Sequence, residues 1–338
     1  MNVTRILPPE LFNLLQSEDG FLIAAHLNPD GDALGSAIAL AMALEKMGKR
    51  TLLVCRDAVP EQYKFLPEYQ RFYTFDNVPA SGVDIREFST LVLVDCNEIR
   101  RTGMEKSPLA NLTFRTTAVI DHHETEKAFG DIRWVAPEIA ATGMLIYYIL
   151  RELAVEITKD IAINLYTALV LDTGNFRFEN TTSEVLAVAA ALAEAGAPPH
   201  IIHRELNESW SEGRFKLFVS LLNTLYIEDC IAITAVTRKM FEETGTTTDD
   251  TETFVSFPKI MKKIEVTALL REDGPTETKV SLRARGGINM ARIAESFGGG
   301  GHKNAAGCTI KADIETAKAE VLRKVKEQMA SNHCDTEV

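Results

Sequence analysis

Residues 21–36 read FLIAAHLNPDGDALGS, and this stretch decides the fold class. The apolar run Phe21 to Ala25 stops at His26, Asp30-Gly31-Asp32 follows, and a second apolar pattern runs from Leu34 to Met47 before Gly48. A short continuous apolar run predicts a strand buried on both faces, and the later pattern closed by a glycine predicts a helix. Two more runs have the same form: Leu91–Val94 ends before Asp95, and Thr117–Ile120 ends before Asp121. Strand alternating with helix is the pattern of an open α/β sheet, whose ligands lie at the carboxyl ends of the strands. His26, Asp95 and Asp121-His122-His123 fall at that edge.

Asp160–Leu171 fits a buried helix or a strand, and its length favours a helix delivering Asp172 at its end. Thr181 and Glu184 have capping-box spacing, and the apolar stretch from Glu184 to Ala195 is broken by Gly196-Ala197-Pro198-Pro199. Beyond the break the period changes from helical to alternating. Ile264, Val266, Ala268 and Leu270 share one face, and Val280, Leu282 and Ala284 alternate with Ser281, Arg283 and Arg285. A short helix (Met290–Phe297), a run of four glycines, a strand near Cys308 and a helix from about Ile314 to Met329 complete the chain. The expected organisation is α/β: an N-terminal, doubly wound, mainly parallel-sheet domain over 1–195, a connecting segment with a helix over 196–220, a smaller α+β domain over 221–330, and a tail over 331–338.

At 338 residues two domains are the natural expectation. Apolar residues make up 46% and charged residues 25%, as in folded globular proteins. No apolar run is long enough for a membrane span and no signal-peptide pattern opens the chain, so a cytoplasmic protein without membrane attachment is expected. Five scattered cysteines with no CxxC pair read as reduced, mostly buried thiols. A net charge of -12 disfavours long duplex nucleic acid, which needs a surplus of cations, and leaves short anionic substrates.

The chemistry begins at His26, Asp30 and Asp32, three ligating side chains within seven residues, with Pro29 and Gly31 bending the backbone between them and Gly35 and Ser36 permitting close approach at a helix start. The structural alternative is an Asp-rich turn in which Asp32 caps the helix. Asp95, His122 and Asp172 at the same edge shift the balance, because clustered carboxylates are costly unless a cation neutralises them. Carboxylate and imidazole without cysteine suit Mn²⁺, Mg²⁺ or Co²⁺, and the number of ligands suffices for two ions.

Here the chain resembles the DHH phosphoesterase superfamily, named for the triplet Asp121-His122-His123. The first motif matches as His26-x-x-Pro29-Asp30-Gly31-Asp32-x-x-Gly35-Ser36, the second as Asp95, and the fourth as Asp172-Thr173-Gly174-x-Phe176. Gly298-Gly299-Gly300-Gly301-His302-x-x-Ala305-Ala306-Gly307 is similar to the glycine-rich segment of the associated DHHA1 domain. The resemblance implies one metal held by His26, Asp30 and Asp95 and a second by Asp32, Asp95, His122 and Asp172, with Asp95 bridging. It also implies a supporting shell in which Asp121 buttresses His122 and His123 meets the phosphate or a water. His200, His203 and His333 sit in no motif and read as loop or surface residues.

Two cations roughly 3.5–4 Å apart activate a water for in-line attack on phosphorus without a protein nucleophile. Ser281, Arg283 and Arg285, with the backbone N–H groups of Gly299, Gly300 and Gly301 beside His302, are the expected substrate-binding set. Arg101, six residues after Asp95, is a further candidate for a phosphate contact, and a hinge between about Gly196 and Arg214 would allow domain closure. Length and domain pair look most like the nanoRNase and pAp phosphatase group, which implies short RNA and 3′-phosphoadenosine 5′-phosphate as substrates. Cyclic di-AMP or linear dinucleotide hydrolysis is the alternative, and a non-catalytic nucleotide-binding regulator is the third reading. A homodimer stays open at this stage.

Overall fold

The computed structural model of the chain describes residues 7–80, 82–124, 129–208, 210–251, 253–285 and 288–334, without the side chains of His302 and of 331–334. Two compact units divide it, Met1–Ser209 and Trp210–Val338.

The first unit is built on six parallel strands: β1 (Gly20–Ala24), β2 (Arg50–Cys55), β3 (Phe72–Thr74), β4 (Thr90–Val94), β5 (Thr116–Asp121) and β6 (Ile132–Val135), in the order β3-β2-β1-β4-β5-β6. Its helices are α1 (Pro9–Ser17), α2 (Gly31–Lys46), α3 (Ile99–Thr102), α4 (Thr142–Glu152), α5 (Lys159–Asp172), α6 (Ser183–Glu194) and α7 (Pro199–Asn207). Alternate strand residues feed two cores. Phe21, Ile23, Leu53, Val92 and Ile120 join residues of α1, α2, α4, α5, α6 and α7. Leu22, Ala24, Leu52, Val54, Leu91 and Leu93 pack against Phe75, Val78, Phe88, Met104 and Leu109. Every helix of two turns or more therefore lies on one face. The other face is covered by α3, loops and single 3₁₀ turns, because the β2–β3 and β3–β4 connections hold no long apolar period.

Helix α2 starts at Gly31, three residues before the expected Leu34, because Asp30 caps it. Close packing among α2, α4 and α5 needs glycine: a Cβ on Gly35 would lie 2.4 Å from the carbonyl oxygen of Asn164 in α5, and one on Gly143 in α4 would lie 2.6 Å from Ala168 Cβ. The cap of α6 is Thr182, whose hydroxyl accepts from Val185 N at 3.3 Å. The expected capping pair is thus displaced by one residue: Glu184 instead accepts a hydrogen bond from Tyr148 Oη, and Thr181 Oγ1 is buried with no hydrogen-bond partner. No single helix among the described residues is long and apolar enough to cross a membrane.

The second unit takes in α8 (Glu212–Leu222), β7 (Tyr226–Glu228), β8 (Ile231–Val236), α9 (Arg238–Thr244), β9 (Val266–Gly274), β10 (Glu277–Ala284), α10 (Met290–Glu295), β11 (Gly300–His302), β12 (Ala305–Ile310) and α11 (Ile314–Cys334). The sheet order is β11-β12-β10-β9-β8-β7, antiparallel except where β8 runs parallel to β9. Val266, Ala268, Leu270, Val280, Leu282 and Ala284 form its core with Ala317, Val321 and Val325 of α11, as their alternation predicts. The expected 196–220 connector is shared between the units. Helix α7 packs in the first, whereas Trp210, Leu217 and Phe218 join Phe254 in an aromatic cluster of the second. Helix α11 runs past Ala330 to Cys334, and 335–338 lie outside the described residues.

Candidate metal centre

Strands β1 and β4 are neighbours where the strand order reverses, and the crevice beyond such a reversal is where α/β sheets bind ligands. β1 leads to His26, β4 runs directly into Asp95, β5 ends on Asp121 before His122 and His123, and α5 ends on Asp172.

Each side chain has a defined grip. Asp30 Oδ1 accepts from the backbone N–H groups of Asp32 and Ala33, each at 3.1 Å, so the cap of α2 is Asp30 and Asp32 is released from that role. Asp32 is fully buried; its Oδ1 accepts from Ser36 Oγ at 2.9 Å and Gly143 N at 2.8 Å, and its Oδ2 from Thr142 N at 2.7 Å. The two backbone donors belong to the first turn of α4, where N–H groups have no partner inside the helix and favour an anion.

Asp95 sits in left-handed backbone at φ 58° and is 1% exposed. Thr142 Oγ1 donates to its Oδ1 at 2.8 Å. Its two oxygens face different imidazoles: His26 Nε2 lies 3.4 Å from Oδ2, and His122 Nε2 lies 3.6 Å from Oδ1. Both rings give Nδ1 to backbone carbonyls, His26 to Leu27 at 2.7 Å and His122 to Ile139 at 3.2 Å. A carbonyl only accepts, so Nδ1 carries the hydrogen and Nε2 faces the carboxylates, the arrangement usual for a metal-binding histidine. His122 Nε2 lies 2.9 Å from Asp172 Oδ2 but makes no aligned hydrogen bond.

Among the described residues three groups of ligating atoms, each within 4.8 Å of one another, result: His26, Asp30 and Asp95; Asp32, His122 and Asp172; and Asp95, His122 and His123. Burial disfavours a charged His26, yet the neighbouring carboxylates of Asp30 and Asp95 prevail and raise its pKa to about 10. Burial opposes the charge of His122 likewise, and Asp172, Asp32 and Asp95 raise it to about 10. Burial, then the charges of Asp95 and Asp172, hold the Asp32 pKa well above the carboxylate range, and burial raises that of Asp172. Burial works against a charged Asp30 too, but His26 and the α2 N–H groups bring its pKa below the ordinary value. Buried carboxylates, an orphaned imidazole nitrogen and histidines tied through Nδ1 fit divalent cations.

Asp121 departs from expectation. It is fully buried, and its Oδ1 accepts from His123 N at 3.1 Å and His123 Nδ1 at 2.8 Å, whereas His122 is held by Ile139. The strand ends at Asp121 and the chain bends at His123, so the carboxylate takes the N–H and the ring of the residue two ahead, as in an Asx turn, and does not reach His122. Arg101 lies in α3, where its carbonyl accepts from Leu27 N at 2.7 Å and fixes α3 beside the His26 loop.

In the second unit, Ser281 and Arg283 alternate with buried Val280, Leu282 and Ala284, while Arg285 lies beyond the strand end and donates to the Lys259 carbonyl. Gly300 and Gly301 pair with Gly307 and Ala306 in β11, and a Cβ on Gly299 would lie 2.2 Å from Gly307 O, so strand packing itself demands small residues here. The side chain of His302 lies outside the described residues. Thr142 and Gly143 had no place among the expected site residues. The small residues Ala140-Ala141-Thr142-Gly143 ahead of an apolar helix were their only local trace.

Residues 20–169 match the model of the DHH family, N-terminal domain, and residues 229–331 match the DHHA1 domain. The bifunctional oligoribonuclease and PAP phosphatase NrnA of Thermus thermophilus is 34% identical over 317 residues, 92% of this chain and 91% of that protein. Its namesake from Bacillus subtilis is 25% identical over 336 residues, 94% of this chain and 99% of that one. Among solved structures, an exopolyphosphatase-related protein from Bacteroides fragilis superposes with a TM-score of 0.89 at 25% identity, covering 96% of each chain. With both domains matched in order and the likeness running through nearly the whole length, the chain belongs to the DHH family and carries a DHHA1 domain.

Proposed function

We propose that the protein is a metal-dependent phosphoesterase that hydrolyses short oligoribonucleotides and 3′-phosphoadenosine 5′-phosphate. The observation that carries this reading is Asp95, whose two oxygens face His26 on one side and His122 on the other. The relatives named oligoribonuclease and PAP phosphatase supply the substrate class. His26, Asp30 and Asp95 would hold one cation, and Asp32, Asp95, His122 and Asp172 the other. Two such cations, Mn²⁺ foremost, supply when bound the Lewis acidity that activates water and offsets charge at phosphorus.

The chain's own residues provide the preorganisation. Thr142 N, Gly143 N and Ser36 Oγ lock both oxygens of Asp32, and the Thr142 hydroxyl fixes the rotation of Asp95. Asp121 accepts from Nδ1 of His123 and holds its ring, so that Nε2 of this partly exposed ring can take a proton and, as the imidazolium, donate to a phosphate oxygen or a leaving group. Arg101, beside the His26 loop, is a candidate for a second phosphate contact. The test compares rates with Mn²⁺ on RNA dimers to pentamers, 3′-phosphoadenosine 5′-phosphate and cyclic di-AMP. Turnover of the first two ahead of the cyclic compound is expected, and preference for the cyclic compound overturns the proposal.

A further inference from the structure

Beyond Asp172, where α5 ends, the chain makes a strained turn. Gly174, Asn175 and Phe176 follow one another in left-handed backbone at φ 56°, 61° and 59°, a conformation that glycine and asparagine tolerate and a bulky phenylalanine resists. The turn closes on Thr173: its hydroxyl accepts from Phe176 N at 3.1 Å, and its carbonyl accepts from Arg177 N at 2.9 Å and Phe178 N at 3.0 Å. The far end is tied back to the candidate metal centre. Asn180 Nδ2 donates to the Asp172 carbonyl at 3.0 Å and to the Ala140 carbonyl at 3.4 Å, and Ala140 stands between Ile139, which holds His122, and Thr142, which holds Asp95. The two rings of the turn part ways. Phe176 packs edge-on against Tyr166 of α5, with centroids 6.0 Å apart, whereas Phe178 is 56% exposed, more than any other aromatic residue described in the first unit. The Phe178 ring lies back over Gly174, where a Cβ would stand 2.4 Å from its Cζ, so the ring is held two residues from a proposed cation ligand.

Backbone strain beside a reactive centre persists where the surrounding structure fixes it, and here it holds an apolar ring out to water at the rim of the centre. A flat partner that covers the ring removes that exposure, and a nucleobase is such a partner, because every base has a π-face that stacks on an aromatic side chain. We infer that Phe178 is the platform on which the base of the nucleotide bearing the reacting phosphate stacks. This rests on the phosphoesterase reading above, which supplies the nucleotide. Cations and carboxylates recognise a phosphate whatever it is attached to, so the ring is what favours nucleotides over base-free phosphates. Stacking reads no base edge, and the platform therefore serves all four bases.

The experiment compares Phe178→Ala, Phe178→Tyr and the unaltered full chain with Mn²⁺ on 3′-phosphoadenosine 5′-phosphate and on 1-deoxyribose 3,5-bisphosphate, which keeps both phosphates and lacks the base. Phe178→Ala should lower kcat/KM on the nucleotide about tenfold, chiefly through KM, and on the base-free compound less than threefold, with Phe178→Tyr restoring most of the loss. Equal losses on both compounds, as a residue that only shapes the turn would give, or no loss on either, overturn the platform. Calorimetric titration of the same two compounds into EDTA-treated protein keeps the two readings apart. Affinity for the nucleotide alone weakened about tenfold in Phe178→Ala supports the platform even if neither compound is hydrolysed, and affinities changed equally or not at all refute it even if both are.

Discussion

Asp95 concentrates the chemistry at the scale of the residue. A non-glycine residue in left-handed backbone costs about 1–2 kcal/mol, and here the strain turns a carboxylate out of β4 so that both oxygens face imidazoles. Asp95→Asn keeps the size and the Thr142 contact but removes the charge, so Mn²⁺-dependent turnover should fall on the order of a thousandfold. Steady-state rates check this, and a variant within tenfold of the parent would rule Asp95 out as a ligand shared by two cations. Thr142 acts one step further out. Thr142→Val should weaken Mn²⁺ binding by about 10- to 100-fold without unfolding the chain, as read by calorimetric titration beside a thermal melt.

At the scale of the element, the seating of Asp32 depends on how closely α4 and α5 pack. A Cβ at Gly143 would stand 2.6 Å from Ala168 Cβ and 3.5 Å from Asp32 Oδ1, so Gly143→Ala must push α4 away and carry its N–H donors off Asp32. The expected cost is about 1–3 kcal/mol of stability together with weaker metal binding. Ala168→Gly in the same chain should recover most of both, and a double variant no better than the single one would show that the clash is not the cause. A helix end far from this contact behaves differently. Ala154 follows α4 at φ 52°, a position that favours glycine, so Ala154→Gly should raise stability by about 1 kcal/mol with turnover unchanged, measured by denaturant unfolding and rate assays.

The molecule divides into two compact units, and all six proposed ligands lie between residues 26 and 172 of the first. Metal that binds only the folded site should stabilise that unit by about 2.7 kcal/mol at a hundredfold excess over Kd, while the transition of the second unit stays in place. Differential scanning calorimetry with Mn²⁺ and then EDTA resolves this, and equal shifts in both transitions would contradict it. Among the cysteines, burial pushes the thiols of Cys55, Cys96 and Cys308 up to about 11, which favours their protonated form at neutral pH. They should resist alkylation at pH 8 until the chain unfolds, as mass spectrometry of iodoacetamide-treated protein would reveal.

The sequence alone determined the strands that end in His26, Asp95 and Asp121, the helix that ends in Asp172, and the alternation of β10. Strand burial and helix period are local: an apolar run that stops at a charged residue marks a sheet edge wherever it occurs. Only the tertiary structure decided what surrounds those side chains. Thr142 and Gly143 reach Asp32 across 110 and 111 residues of chain, Ile139 and not Asp121 holds His122, and the Arg285 guanidinium meets the Lys259 carbonyl of a separate segment. Such contacts leave no periodic trace, because they arise from two segments packing together. The raised pKa values of His26 and His122 follow the same rule, since desolvation and opposing charge exist only once distant carboxylates are buried beside them.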